Sequence, residues 1–347
     1  MRAMQLQQLG PVTPDRPPLV AVELPVPEPG PGEIRVRVEA CAVCHTELDE
    51  IEGRTTPPVL PVIPGHQIVG RVEACGAEST RFSTGERVGI GWIFSACGRC
   101  EWCRRGEDNL CPAFRATGRD VNGGYAEYVC VREDFTAPIP EAYTPEEAAP
   151  LLCAGAIGYR SLRLAMLADG QVLGLSGFGG SNHLVLQLAR HLYPCSPILV
   201  YARSAAERAF ALCQGASWAG DYTEAPPRPM DAVIDTTPVW KPILSLLPHL
   251  APGGRMVINA IRKENTDREQ WLQLDYARDL WQEKIIRSVA NVASRDIVEF
   301  LPLAAQAGIK PEIQVYALDE ANRALQELRA GKIRGSKVLR IGPAQIS

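Results

Sequence analysis

Between residues 172 and 289, short apolar runs alternate with segments of helical spacing, and this alternation most limits what the chain can fold into. Strands are expected at residues 172–176, 198–202, 232–235, 255–260 and 284–289. Helices are expected at 183–192, where Leu184, Leu188 and Leu192 share a face, and at 205–213 and 239–250. Strand, helix and strand in succession require a crossover. The pattern therefore predicts an α/β domain with a doubly wound parallel sheet covered on both faces.

The first strand of that set runs into Gly177-Phe178-Gly179-Gly180-Ser181-Asn182. A glycine turn from strand to helix lets the backbone approach a pyrophosphate, whose charge is favoured at the helix N-terminus. Gly177, Gly179 and Gly180 are the cofactor-binding candidates, and Asn182 at the third position of G-x-G-x-x-G implies an altered helix–strand approach. The next strand ends Tyr201-Ala202-Arg203-Ser204, with no carboxylate to grip a ribose 2′-hydroxyl. Arg203 and Ser204 suit a 2′-phosphate, so NADP(H) is expected ahead of NAD(H).

The first third reads differently. Residues 34–38 and 68–72 alternate apolar with polar, and eight prolines fall between Pro11 and Pro31, which predicts a turn-rich β-barrel or irregular sheet. Helical spacing first appears at 146–152 and 158–167. After Ala290 come a helix (296–307), a strand (314–316) and a last helix through Arg329. The first domain is therefore expected to be discontinuous, residues 1–154 and 291–347, around a dinucleotide-binding domain at 155–290.

Four of the eleven cysteines, Cys97, Cys100, Cys103 and Cys111, lie within fifteen residues as C-x2-C-x2-C-x7-C. Paired thiolates on short turns make a closed tetrahedral site, so a structural zinc lobe is expected at 95–112, with Arg99, Arg104 and Arg105 offsetting its charge. An odd cysteine count in a chain of 347 residues does not fit a secreted disulfide scaffold, and a cytoplasmic setting is expected. Thirty-six basic against forty acidic residues argue against nucleic acid or an anionic membrane as partner. The uncharged run at 170–189 holds five glycines and six polar residues, too many for a transmembrane span.

A second constellation is dispersed: Cys44-His45-Thr46, Pro64-Gly65-His66-Gln67, and Cys153. Together with the cysteine lobe, Gly123-Gly124-Tyr125-Ala126-Glu127-Tyr128 and the turn at Gly177, these residues resemble the zinc-containing medium-chain alcohol dehydrogenases over nearly the whole chain. The resemblance implies a GroES-like β-rich catalytic domain beside a Rossmann domain. It also implies a catalytic zinc on Cys44, His66 and Cys153 with a fourth position open. Thr46 matches the hydroxyl that relays the alcohol proton, and Asp49 stands where relatives often carry the histidine ending that relay. Glu47 matches an acid that orients the histidine ligand, Gln67 replaces a frequent glutamate, and Trp92 matches a substrate-pocket aromatic. His45 and Arg334 match pyrophosphate contacts. The expectation is a zinc alcohol dehydrogenase or aldehyde reductase with two zincs per chain, a small-molecule alcohol or aldehyde as substrate, and a homodimer or homotetramer as assembly. A polyol dehydrogenase and a non-catalytic zinc scaffold are the alternatives; a zinc-free quinone or enoyl reductase would lack both cysteine sets.

Overall fold

The computed structural model describes residues 1–331 and 335–341; Arg334 lies outside them. The main strands, in chain order, are β1 (Glu33–Val43), β2 (Gln67–Cys75), β3 (Arg87–Ile90), β4 (Tyr128–Arg132) and β5 (Thr136–Pro138). There follow β6 (Leu173–Ser176), β7 (Ile198–Tyr201), β8 (Trp218–Gly220), β9 (Met230–Asp235), β10 (Leu250–Ile258) and β11 (Ile285–Ser288), then β12 (Ile313–Ala317) and β13 (Ser336–Arg340). The chain divides into two compact units, one of residues 1–156, 292–305 and 310–347, the other of 157–291 and 306–309.

The first unit is built on a sheet in the order β12-β13-β1-β2-β3-β5, with β4 paired to β1. Ile34, Val36 and Val38 face its core, as their alternation requires, and are at most 1% exposed. At Glu39 the register of β1 against β2 slips by one residue. Beyond that bulge both faces of β1 are buried, from Ala40 to Val43, and the strand delivers Cys44 to its end. The strand β13, which the sequence reading passed over, pairs antiparallel with β1 and carries the C-terminal part of the chain into this core.

The second unit holds a six-stranded parallel sheet ordered β8-β7-β6-β9-β10-β11. The order reverses between β6 and β9, the point where open parallel sheets bind ligands at the strands' carboxyl ends. The short strand β8, only Trp218–Gly220, escaped the sequence reading, which looked for longer apolar runs. Two expected helices are shorter than their spacing implied. Residues 241–246 are helical but Pro248 tightens the chain into a 3-10 turn, and Pro150 does the same after Pro145–Ala148.

Candidate active site

Cys44 caps a short helix, α1 (His45–Ile51), in extended conformation at the end of β1. Three residues on, Glu47 turns back, and its Oε2 accepts the Cys44 backbone N–H at 2.8 Å. Its other oxygen, Oε1, lies 2.6 Å from Nδ1 of His66, with both side chains at most 1% exposed. Glu47 thus fixes the helix start and the imidazole together. His66 sits just before β2, behind Gly65 at φ +100°, where a Cβ would approach the Tyr125 ring to 2.4 Å. Cys153 occupies the irregular turn after residues 149–152. Three segments far apart in sequence therefore bring two thiols and an imidazole nitrogen within 4.8 Å of one another.

The proton positions of this trio follow from its burial. Cys44 is held well below the usual thiol range by the hydrogen bond from Cys153, with further help from His66 against the cost of burial. Cys153, the donor in that bond and itself buried, is pushed well above it. Burial alone would lower His66, but the Glu47 carboxylate and the Cys44 sulfur outweigh it, and the imidazole is raised well above its ordinary value. The far ring nitrogen, Nε2, is buried without a hydrogen-bond partner. Two soft sulfur donors and an oriented imidazole fit zinc, and no fourth cysteine, histidine or carboxylate among the described residues joins the group.

Around the trio, Thr46 is buried with its Oγ1 3.6 Å from Cys44 Sγ. Asp49 is taken up by an ion pair with Arg54, and Gln67 is buried at the first position of β2. Trp92 is 6% exposed, 5.2 Å from the Phe114 ring, and carries the Arg119 guanidinium over its face. His45 is exposed at the start of α1.

The four-cysteine lobe has its Sγ atoms close together, Cys100 to Cys103 at 3.5 Å and Cys97 to Cys103 at 3.9 Å. All four offer ligand atoms within 4.8 Å of one another, a donor set that fits a closed zinc site. Two of the three arginines expected to balance it are occupied elsewhere. Arg104 donates to the carbonyl of Arg99, and Arg105 pairs with Glu101 and Glu107. Backbone amides take their place: Cys100 N–H reaches Cys97 Sγ at 3.3 Å, and Cys103 N–H reaches Cys100 Sγ at 3.5 Å. Backbone donation from Arg99 and Cys100 brings Cys97 down to about 6, while burial and the neighbouring sulfurs push Cys103 up to about 12. Asp108, just after the lobe's helical turn, accepts from Ser294 N at 3.0 Å and Ser294 Oγ at 2.5 Å, which ties the lobe to the start of the helix Ser294–Gln306.

In the parallel-sheet unit, Gly177 leaves β6 at φ +78°, and a Cβ on Gly179 would meet nothing within 4 Å, so the turn keeps space for a phosphate. Asn182, which opens α2 (Asn182–Leu192), does more than replace a glycine. Its Nδ2 donates to Ser176 O at 3.0 Å and Gly177 O at 2.8 Å, locking the turn to the strand end. Ser204 caps α3 (Ala205–Cys213), accepting from Glu207 N at 3.1 Å, while Glu207 returns its carboxylate to Ser204 N. That acid is therefore engaged in the cap. Arg203 is exposed beside it. Arg208, which sequence reading missed, donates to the carbonyls of Ala202 and Arg203 at 2.9 Å each, placing a second cation at the same strand end. Its signal was its place on the first turns of a helix that opens at Arg203-Ser204. Glu50 was also missed: it is 1% exposed, its two oxygens have no hydrogen-bond partner, and Trp92 Nε1 lies near without a well-formed bond.

Comparison with known proteins bears on the fold and the family. Residues 30–141 match the family described as the alcohol dehydrogenase GroES-like domain. The chain is 43% identical over 346 residues to a probable alcohol dehydrogenase, AdhA, of Mycobacterium tuberculosis, covering 98% of this chain and 97% of that one. It is 31% identical over 316 residues to an alcohol dehydrogenase of Geobacillus stearothermophilus, covering 88% and 90%. Among solved structures, a cobalt- and zinc-bound thermostable alcohol dehydrogenase from Pyrobaculum aerophilum matches with a TM-score of 0.86 at 26% identity, over 98% of this chain and 99% of that one. Fold, sequence similarity and the paired cysteine sets lead to one assignment: the chain belongs to the zinc-containing medium-chain alcohol dehydrogenase family, a family of NAD(P)-dependent oxidoreductases.

Proposed function

We propose that this chain is a zinc-dependent alcohol dehydrogenase or aldehyde reductase that moves hydride between a small alcohol or aldehyde and NADP(H). The convergence of Cys44, His66 and Cys153 on one buried spot, with Glu47 orienting the imidazole, carries the reading. Zinc bound there supplies a Lewis acid that acidifies a hydroxyl or polarises a carbonyl. Thr46, beside Cys44, passes the hydroxyl proton, and Trp92 walls the substrate. The cysteine lobe holds the second zinc and braces its surroundings.

The preference for NADP(H) rests on Arg203 and Arg208 at the end of β7 and on an acid, Glu207, engaged in the helix cap. His45 completes the pyrophosphate contacts; Arg334, assigned with it, lies outside the described residues. An oligomer in the cytoplasm completes the reading. Its support is the free edge strand β11, with Trp281 59% and Ile285 47% exposed next to it, an edge suited to a two-fold copy. No helix among the described residues is long and apolar enough to cross a membrane.

Zinc per chain, measured by elemental mass spectrometry on protein dialysed without chelator, tests the metal reading. A value near two, alongside NADPH-linked reduction of a panel of aldehydes, supports it; a value near one with no turnover removes the catalytic site.

A further inference from the structure

Within the reading of Cys44, His66 and Cys153 as the alcohol site, we propose that Glu50 is the carboxyl that receives the substrate's proton through Thr46. Three observations carry the assignment. Thr46 and Glu50 stand at i and i+4 on α1, which puts their Cβ atoms about 5–6 Å apart on one face. A helical side chain leans over the turn before its own Cα, so the Glu50 carboxyl reaches back toward Thr46 and Glu47 rather than away from them. Both of its oxygens are buried and lack a hydrogen-bond partner, which for a carboxyl is costly unless a proton or a polar guest completes it. Asp49, the neighbouring acid, has its Oδ1 on Arg54 and its backbone carbonyl on Arg54 and Thr55.

The polar groups around Glu50 are themselves incomplete. Trp92 Nε1 and Tyr125 OH are buried without a well-formed hydrogen bond. The charged and titratable groups facing Glu50 are Glu47 on its own helix, His66 before β2, and Arg119. Burial and Glu47 push its carboxyl well above the usual carboxylate range, against the pull of His66, the Trp92 indole N–H and Arg119.

In alcohol oxidation the substrate O–H bond breaks and its proton goes to the Thr46 oxygen. Thr46's own O–H proton passes in turn to the Glu50 carboxylate. The O–H electron pair stays on the substrate oxygen and becomes the second bond of the carbonyl as the C–H bond breaks and hydride leaves, with its pair, for the nicotinamide. Aldehyde reduction runs the same transfers backward, with Glu50 as the acid.

The test uses zinc-loaded full-length protein, benzyl alcohol and NADP+. Oxidation by the wild type is expected to rise with pH as Glu50 loses its proton. In Glu50→Gln, kcat is expected to fall roughly 10- to 100-fold and that rising limb to vanish, with zinc content and NADPH affinity unchanged. Glu50→Asp, which keeps the carboxyl, is expected to retain the limb and serves as well if the glutamine variant does not fold. Infrared difference spectra on mixing with alcohol and NADP+ should show a protonated-carboxyl band in the wild type and Glu50→Asp but not in Glu50→Gln. An unchanged limb in Glu50→Gln, or its loss in Asp49→Asn instead, overturns the assignment while leaving the enzyme reading intact. A wild type without zinc at the trio, or without alcohol turnover, overturns both.

Discussion

At the scale of single residues, the site depends on groups that hold one another's protons. Cys44, Cys153 and His66 share protons that a metal displaces on binding, so removing one ligand should remove the metal rather than merely weaken it. Cys153→Ala is expected to lose turnover by roughly a thousandfold, about 4 kcal/mol in barrier, while keeping the fold and NADPH binding. Zinc analysis should fall by one per chain; a variant with full zinc and unchanged rate would sink the ligand assignment. On the cofactor side, a guanidinium–phosphate hydrogen bond is worth about 1.5–3 kcal/mol, or roughly 10- to 100-fold in affinity. Arg203→Ala should therefore weaken NADPH by that factor and NADH hardly at all, as read by quenching of tryptophan fluorescence. Equal losses for both cofactors would favour NAD(H).

At the scale of elements, short segments hold long-range work together. The helix α1 is only seven residues, yet it carries Thr46, Glu47 and Glu50 and begins at Cys44. Its roughly two turns are stable because Glu47 closes the cap and every residue from Thr46 to Ile51 is buried. The cysteine lobe has almost no apolar core: no residue of its helix Glu101–Arg104 is buried. On the proposed zinc reading, its shape comes from a metal held by the four cysteines and from Asp108 on Ser294. Cys103→Ser is accordingly expected to lower the melting temperature by roughly 4 °C, corresponding to about 3 kcal/mol in a chain of this size, with a smaller effect on kcat. A stable, active variant lacking one zinc would count against a structural role. In the same unit, Lys337 and the Tyr316 hydroxyl both donate to Glu327, at 2.9 and 2.6 Å, which brings that carboxyl from its ordinary 4.5 down to about 2. A lowered carboxylate stabilises the fold above its unfolded value and loses that contribution as pH falls from about 4.5 to 2. Glu327→Gln should be less stable than the wild type at pH 7, and the difference between them should shrink in acid denaturation followed by circular dichroism.

At the scale of the whole molecule, no strand among the described residues pairs with the outer side of β11, whose Ile285, Arg287 and Ser288 are exposed. An unpaired edge with an exposed isoleucine invites a second strand, and an identical copy related by a two-fold axis can pair antiparallel with it. Ile285→Lys is expected to shift sedimentation toward monomer without unfolding the sheet; a variant with an unchanged oligomer would place the interface elsewhere.

Much of this could be read from the residues in order. The strand–helix alternation, the glycine turn and C-x2-C-x2-C depend on neighbours in sequence, and period and spacing report such local features directly. The dispersed trio was legible only through resemblance, because Cys44, His66 and Cys153 lie on separate segments that no local rule connects. What the tertiary structure alone decided follows from long-range contact. It showed that backbone amides rather than arginines meet the lobe's sulfurs, that Asn182 stitches the glycine turn, that Glu207 is taken up by a cap, and that Asp49 is paired with Arg54 while Glu50 lies buried without a partner. A sequence states which polar groups exist; only the folded chain determines which of them are left to find a partner.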